Sequence, residues 1–311
     1  MSSLRCKLRG WVFIPAILAV VAAPLQVCLS ADPPADSKQD ADDSSPKDEL
    51  SDARKAYMLK AMKKFRVVMD NDEAKTATLD ERALMRWSNP VGDVADGLLA
   101  VYTTAPADRP AMIAHLYIHG PGLKGLEMHE FADLHPGNVT LFRGSRQVWS
   151  PKERYSQFRE LPDAVKPSEN PVLRLSQMKT MAARFEIIDG FRSPNSEPEP
   201  QALRMLSRPS YRYGKADGEL VDGAIFTYVV ATDPEACLLI EIHRKDDKYV
   251  WMYGVFPLTI YSLDAKLDGA SVWTKPEAMV FGNPTAPHYI AGYQPDRGEP
   301  SSATLIPGLK Q

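Results

Sequence analysis

The sequence predicts an α+β protein, a tandem duplication in which each copy is a helix followed by a meandering antiparallel sheet. Three observations predict it: two stretches share four landmarks in the same order, each stretch opens on an amphipathic helical stripe, and each continues into short runs rich in Val, Ile, Tyr, Phe and Trp divided by turn residues.

The chain opens with Arg5, Lys7 and Arg9, an apolar run from Trp11 to Ala23, and small residues at Cys28 and Ser30. This is the form of a secretory signal peptide over 1–30. The run is short for a bilayer, so no stable transmembrane span is expected after processing, the alternative being an uncleaved anchor. Lipid attachment at Cys28 is disfavoured, because Val27 stands where a small residue is needed. Residues 31–50, ADPPADSKQDADDSSPKDEL, carry seven acids and almost no large apolar side chain. They read as a disordered acidic tether that cannot offset the entropy of ordering.

The first α+β copy spans 51–149, with Met58, Ala61, Met62, Phe65 and Met69 on one helix face and Ser51 as N-cap. Residues 150–170, with Pro151, Pro162 and Pro167 among charges, form a linker. The second copy spans 171–273; there Leu175, Met178, Ala182 and Phe185 share a face after Asn170 as cap and Pro171 at the first helical position. MLKAMKKFRVV (58–68) parallels LSQMKTMAARFEII (175–188), and RALMRWSNP (82–90) parallels QALRMLSRP (201–209). DGLLAVYTTAPADRPAMIAHLYI (96–118) parallels DGAIFTYVVATDPEACLLIEI (222–242), and both copies close on Val-Trp, at Trp149 and Trp273. The runs AIFTYVV, CLLIEI and KYVWMYGVF are the clearest strands, and turns as short as Thr-Asp-Pro between them require antiparallel pairing. The tail, 274–311, is Pro-rich and partly disordered, with Tyr289, Ile290 and Tyr293 placed to dock on the body.

Composition narrows the function classes. With 44% hydrophobic and 25% charged residues the 311-residue chain is globular. The formal net charge is −3, and loss of the basic leader lowers it to −6, so no nucleic-acid partner is expected. Cys237 is left as a lone thiol in an apolar strand, inert and without a disulfide partner.

The motifs are incomplete. GPGLKG (120–125) has the Gly-x-Gly-x-x-Gly string but no capped helix behind it, and reads as a hairpin turn. His115 and His119 lie in a strand-like run, about 13 Å apart, too far to share a metal. His129-Glu130 opens HEFAD, a broken His-Glu-x-x-His pattern with Asp133 in the second ligand place. On a strand His129 and Glu130 point to opposite faces, which weighs against the metal reading. The preferred reading is a surface strand with two polar residues, in which His129→Ala costs under about 1 kcal/mol. His129, Glu130 and Asp133 remain the candidate catalytic residues, with no metal ligands and no cofactor expected. Arg143, Arg146, Lys152 and Arg154, beside Trp149 and Tyr155, suit an anion or a glycan, and Asn138-Val139-Thr140 has the glycosylation form.

From about Leu84 to Trp273 the chain resembles an uncharacterised secreted protein family of planctomycete bacteria. RWSNP, DGLLAVY, HEF, RLSQMKTMAARF, YRY and DGAIFTYVVATDPEACLLIE carry the resemblance. It implies export and no known activity. The sequence reading is therefore a non-enzymatic exported binding or structural module in the periplasm, at the envelope or outside the cell, with an envelope protein or glycan as the partner class. The alternatives are a metal-dependent or other hydrolase built around His129 and Glu130, and a small-ligand carrier.

Overall fold

The structure, a computed structural model, describes residues 46–155, 157–191, 199–215, 218–245, 248–278, 280–293, 298, 300–307 and 309. The expected signal peptide, 1–30, lies outside the described residues, as does 31–45 of the expected tether.

The first half contains α1 (Pro46–Met62), β1 (Phe65–Met69), β2 (Asp72–Asn89), β3 (Val94–Thr104), β4 (Arg109–His119), β5 (Glu127–Asp133), β6 (Val139–Arg143) and β7 (Arg146–Trp149). There follow β8 (Arg159–Glu160), α2 (Pro171–Ala182), β9 (Phe185–Asp189), β10 (Gln201–Ala202), β11 (Arg204–Met205) and β12 (Tyr211–Tyr213). The long strands β13 (Leu220–Val230), β14 (Asp233–Lys245) and β15 (Lys248–Pro257) come next, then β16 (Leu263–Leu267), β17 (Ala270–Lys275) and β18 (Tyr289–Tyr293).

The α+β class with its tandem helix-and-sheet duplication is corrected by this structure. Among the described residues the protein is mostly β, with 52% strand against 13% helix, only two α-helices, and several antiparallel sheets of which one curls toward a nearly closed barrel. An eight-stranded sheet runs β18-β5-β4-β3-β2-β1-β6-β7; a second sheet runs β11-β13-β14-β15-β8, and a third β10-β9-β16-β17.

The reason for the difference lies in the two faces of each sheet. Leu99, Val101, Ile113 and Ala132 of the first sheet meet Ile225, Cys237, Leu239 and Phe256 of the second, forming a core between sheets. The alternate residues point the other way: Leu98, Ala100 and Tyr102 pack with Met58 and Met62 of α1, and Ala224, Phe226 and Tyr228 pack with Met178 and Ala182 of α2. Strands covered on both faces are apolar at successive positions, because neither parity is wetted. Each fully buried Leu, Ile or Phe of these layers contributes roughly 1.5–3 kcal/mol.

The helix ends are tied to the sheets. Tyr102 Oη donates to Met62 O at 2.6 Å and Tyr228 Oη to Ala182 O at 3.1 Å, each satisfying a carbonyl that the helix terminus leaves open. Asn170 caps α2 as the sequence predicts, its side chain accepting from Val172 N at 2.8 Å. Ser51 does not cap α1, which begins at Pro46; instead its carbonyl accepts from Arg86 at 3.2 Å. From the tail, β18 joins the edge of β5, and Ala286 O accepts from the buried Trp149 indole at 2.7 Å.

Candidate functional site

Along β5, alternation sends neighbouring side chains to opposite faces. His129 points with Glu127 and Phe131 toward the α1 side, where its Nε2 meets Glu127 Oε1 at 2.5 Å and Glu127 Oε2 accepts from Tyr57 Oη at 2.8 Å. Its ring stacks on Tyr293 with centroids 4.3 Å apart, and burial lowers its proton affinity against the pull of Glu127. It lines a cleft of about 1000 Å³ with Lys64, Arg143 and Arg146. At the end of the strand Asp133 accepts from His135 N at 2.9 Å and faces Arg154 Nε at 3.1 Å. Burial pushes the Asp133 carboxyl up to about 7 in spite of Arg154.

Glu130 faces the second sheet. His129, Glu130 and Asp133 thus occupy separate surroundings and form no common site. Nor are His129 and Glu130 surface residues: they are 3% and 2% exposed. Strand parity puts the two side chains on opposite faces as the sequence predicts, but neither face of β5 is open to water here.

Around Glu130 the structure gathers groups the sequence reading left apart. His115 stands opposite it on β4, with Nδ1 2.9 Å from Oε2, and His288 Nε2 lies 2.6 Å from Oε1. Burial opposes ionisation of this carboxyl, but His288 and His115 together outweigh it and hold Glu130 at about 2. This group borders a cavity of about 420 Å³ whose walls also include Tyr117, Asp233, Glu235 and Tyr261. Asp233 and Glu235 are two apart on β14 and so share a face. Burial pushes Asp233 up to about 7, with Glu130 and Asp189 adding to the rise and His115 opposing it. Burial and then the charge of Asp233 drive Glu235 well above the usual carboxylate range.

Deeper in, burial raises Asp189 to about 6 against the attraction of Lys275, and lowers Lys275 to about 8. The Lys275 ammonium donates to Tyr261 O at 2.6 Å and Pro276 O at 3.3 Å. Two buried atoms of the cavity region lack a hydrogen-bond partner, His115 Nε2 and His288 Nδ1, while His288 Nε2 and Glu130 Oε1 satisfy each other. Native interiors leave few such atoms unpaired, so their concentration here marks the cavity as a place where a ligand would complete the hydrogen bonding.

The remaining motifs resolve into structural parts. The Gly120–Gly125 segment connects β4 to β5, and the Asp93 carboxylate already accepts from Gly122 N at 3.3 Å and Leu123 N at 2.7 Å. A Cβ on Gly120 or Gly122 would come within 2.5 and 2.7 Å of that carboxylate, which is why glycines stand there. Cys237 lies between the sheets, where burial pushes its thiol up to about 12. Trp149 is fully buried, so it offers no stacking face to a glycan, while Arg154 is engaged with Asp133.

Asp233, Glu235 and His288 were missed because the first two read as turn and strand-start residues and the third falls in the Pro-rich tail. The available signal was two acids at period two leading into the apolar run CLLIEI. Among the described residues no group of three or more His, Cys, Asp or Glu is arranged to hold a metal ion, and no helix is long and apolar enough to cross a membrane. Compared with known proteins, the chain matches no family model, no curated protein and no solved structure.

Proposed function

We propose that this protein is a non-enzymatic binding module, acting after export, that holds a small ligand in the cavity between its two main sheets. The observation that carries the reading is the set of unpartnered buried atoms beside a cavity of about 420 Å³. That volume lies in the range of small-molecule sites, and the mixture of apolar walls with a few converging polar groups is their usual makeup. Export is supported by the basic, apolar and small-residue order of the first 30 residues.

The test is native mass spectrometry of the full chain purified from its source, beside Ile260→Trp, which places an indole in the cavity wall. A mass adduct that survives native spraying, vanishes on denaturation and is lost in Ile260→Trp supports the reading. An adduct equally present in the filled variant, or none together with no fragment bound in the cavity, sinks it.

A hydrolase is the second reading, favoured by one observation: Glu130, held at about 2, and Asp233, raised to about 7, border one cavity. Such a split suits a general base and a general acid. Turnover of chromogenic esters or glycosides that both Glu130→Gln and Asp233→Asn abolish would establish it.

A further inference from the structure

With the cavity taken as the binding site, the chemical class of its ligand follows from what the walls offer. The ionisable groups at its polar end present acceptors. His115 Nδ1 lies 2.9 Å from Glu130 Oε2, and a neutral ring donating there leaves Nε2 as an acceptor; that atom has no partner, and the residue is 2% exposed and lines the cavity. His119 likewise donates from Nδ1 to Asp93 O at 3.1 Å, which leaves its Nε2 an acceptor as well.

Asp233 and Glu235 add two carboxyl groups on one face of β14, with Asn89 and Thr259 as their hydrogen-bond neighbours. Among the described residues neither is joined in an ion pair, and the Lys275 ammonium, whose charge interacts with that of Glu235, is held by two backbone carbonyls. Facing these acceptors are aromatic walls: Tyr117, Phe191 and Tyr261, the last two meeting edge to face with centroids 5.1 Å apart.

We infer that the cavity takes an organic amine in its ammonium form, with the N–H donors directed at Asp233, Glu235 and His115 Nε2 and the apolar body lying along Tyr117, Phe191 and Tyr261. An ammonium is donor-only, which matches an end rich in acceptors, and its charge is attracted to aromatic faces as well as to carboxylates. A bound cation also favours the ionised forms of Asp233 and Glu235 and offsets the repulsion between the two carboxylates. A divalent metal lacks the grouped ligands it needs among the described residues.

The experiment titrates the full chain with three probes of one shape, 2-phenylethylamine, 2-phenylethanol and phenylacetate, by calorimetry and by chemical-shift changes of cavity residues. The amine is expected to bind about tenfold or more tightly than the alcohol, with phenylacetate weakest. In Asp233→Asn/Glu235→Gln the amine's advantage disappears, while the alcohol still binds and so reports a folded cavity. If that double variant does not fold, Glu235→Gln alone carries the comparison. An alcohol or carboxylate that binds as well as the amine overturns the ammonium assignment and leaves the cavity-binding reading standing. Amine binding unchanged in the variant places it elsewhere and also overturns the assignment. Silence of the cavity residues to all three probes overturns both.

Discussion

Asp96 and Asp222 are each gripped by one arginine from a helix and one from a neighbouring strand. Arg54 Nε of α1 reaches Asp96 at 3.2 Å and Arg86 Nε of β2 at 3.0 Å. Arg174 Nε of α2 reaches Asp222 at 2.7 Å and Arg212 Nε of β12 at 2.9 Å. Each cluster pins a helix to its sheet. Removing the carboxylate strands two guanidinium groups in a desolvated setting, so Asp96→Ala and Asp222→Ala should each cost about 3–5 kcal/mol in urea unfolding. Losses below about 1 kcal/mol, as for an exposed ion pair, would refute the role.

The glycines that follow these aspartates are explained by close approach. A Cβ on Gly97 would lie 2.2 Å from Trp87 Nε1, and one on Gly223 would lie 2.6 Å from the Tyr213 ring. Both rings are fixed in the surrounding structure, so neither can yield cheaply. Gly97→Ala and Gly223→Ala should therefore destabilise by about 1–3 kcal/mol. Trp87→Leu should recover part of the Gly97→Ala loss in a double-mutant cycle; strictly additive losses would show that the ring is not the obstacle.

Stability should depend on pH in opposite senses for the two sides of the cavity. Asp233 is raised to about 7 in the folded chain, so folding favours its protonated form: its stability contribution is complete below about 4 and is lost as pH rises toward 7. Asp233→Asn has no proton to lose, and should gain on the order of 2 kcal/mol relative to the parent between pH 4 and pH 8. Glu130 is lowered to about 2, so its contribution is present above its ordinary range near 4.5 and is lost as pH falls toward 2. The deficit of Glu130→Gln should accordingly shrink in acid. Parallel pH profiles for both variants and the parent would contradict this assignment.

Much of the local structure was legible in the sequence. The strands carrying AIFTYVV, CLLIEI and KYVWMYGVF, the Asn170 cap and the strand character of the run around His115 all follow from propensity and turn chemistry. The class was not, because local patterns show that a helix covers one face of each sheet but not that the two sheets cover each other on the opposite faces. The runs themselves carried the warning: a half-exposed strand alternates, whereas β3 and β13 are buried at consecutive positions from Leu98 to Tyr102 and from Leu220 to Val229. The cavity was illegible for a different reason. It joins His115 and Glu130 to Asp233 across more than a hundred residues, a juxtaposition made by sheet packing and carried by no local pattern.

His129 gives the sharpest test of burial against the surface reading. The ring is 3% exposed, stacked on Tyr293, tilted against Phe65 at 5.3 Å and held by Glu127. His129→Ala therefore opens a cavity beneath α1 and leaves Glu127 with one partner fewer, two costs that add to about 2–4 kcal/mol. His119→Ala, at a partly exposed position whose ring bonds Asp93 O and meets Tyr117 edge to face, should cost about 1 kcal/mol or less. Denaturant midpoints of the two variants, measured with the parent at one pH, decide the matter. Equal small shifts would mean that the His129 side of β5 is open to solvent, and the helix-covered face described for β5 would have to be abandoned.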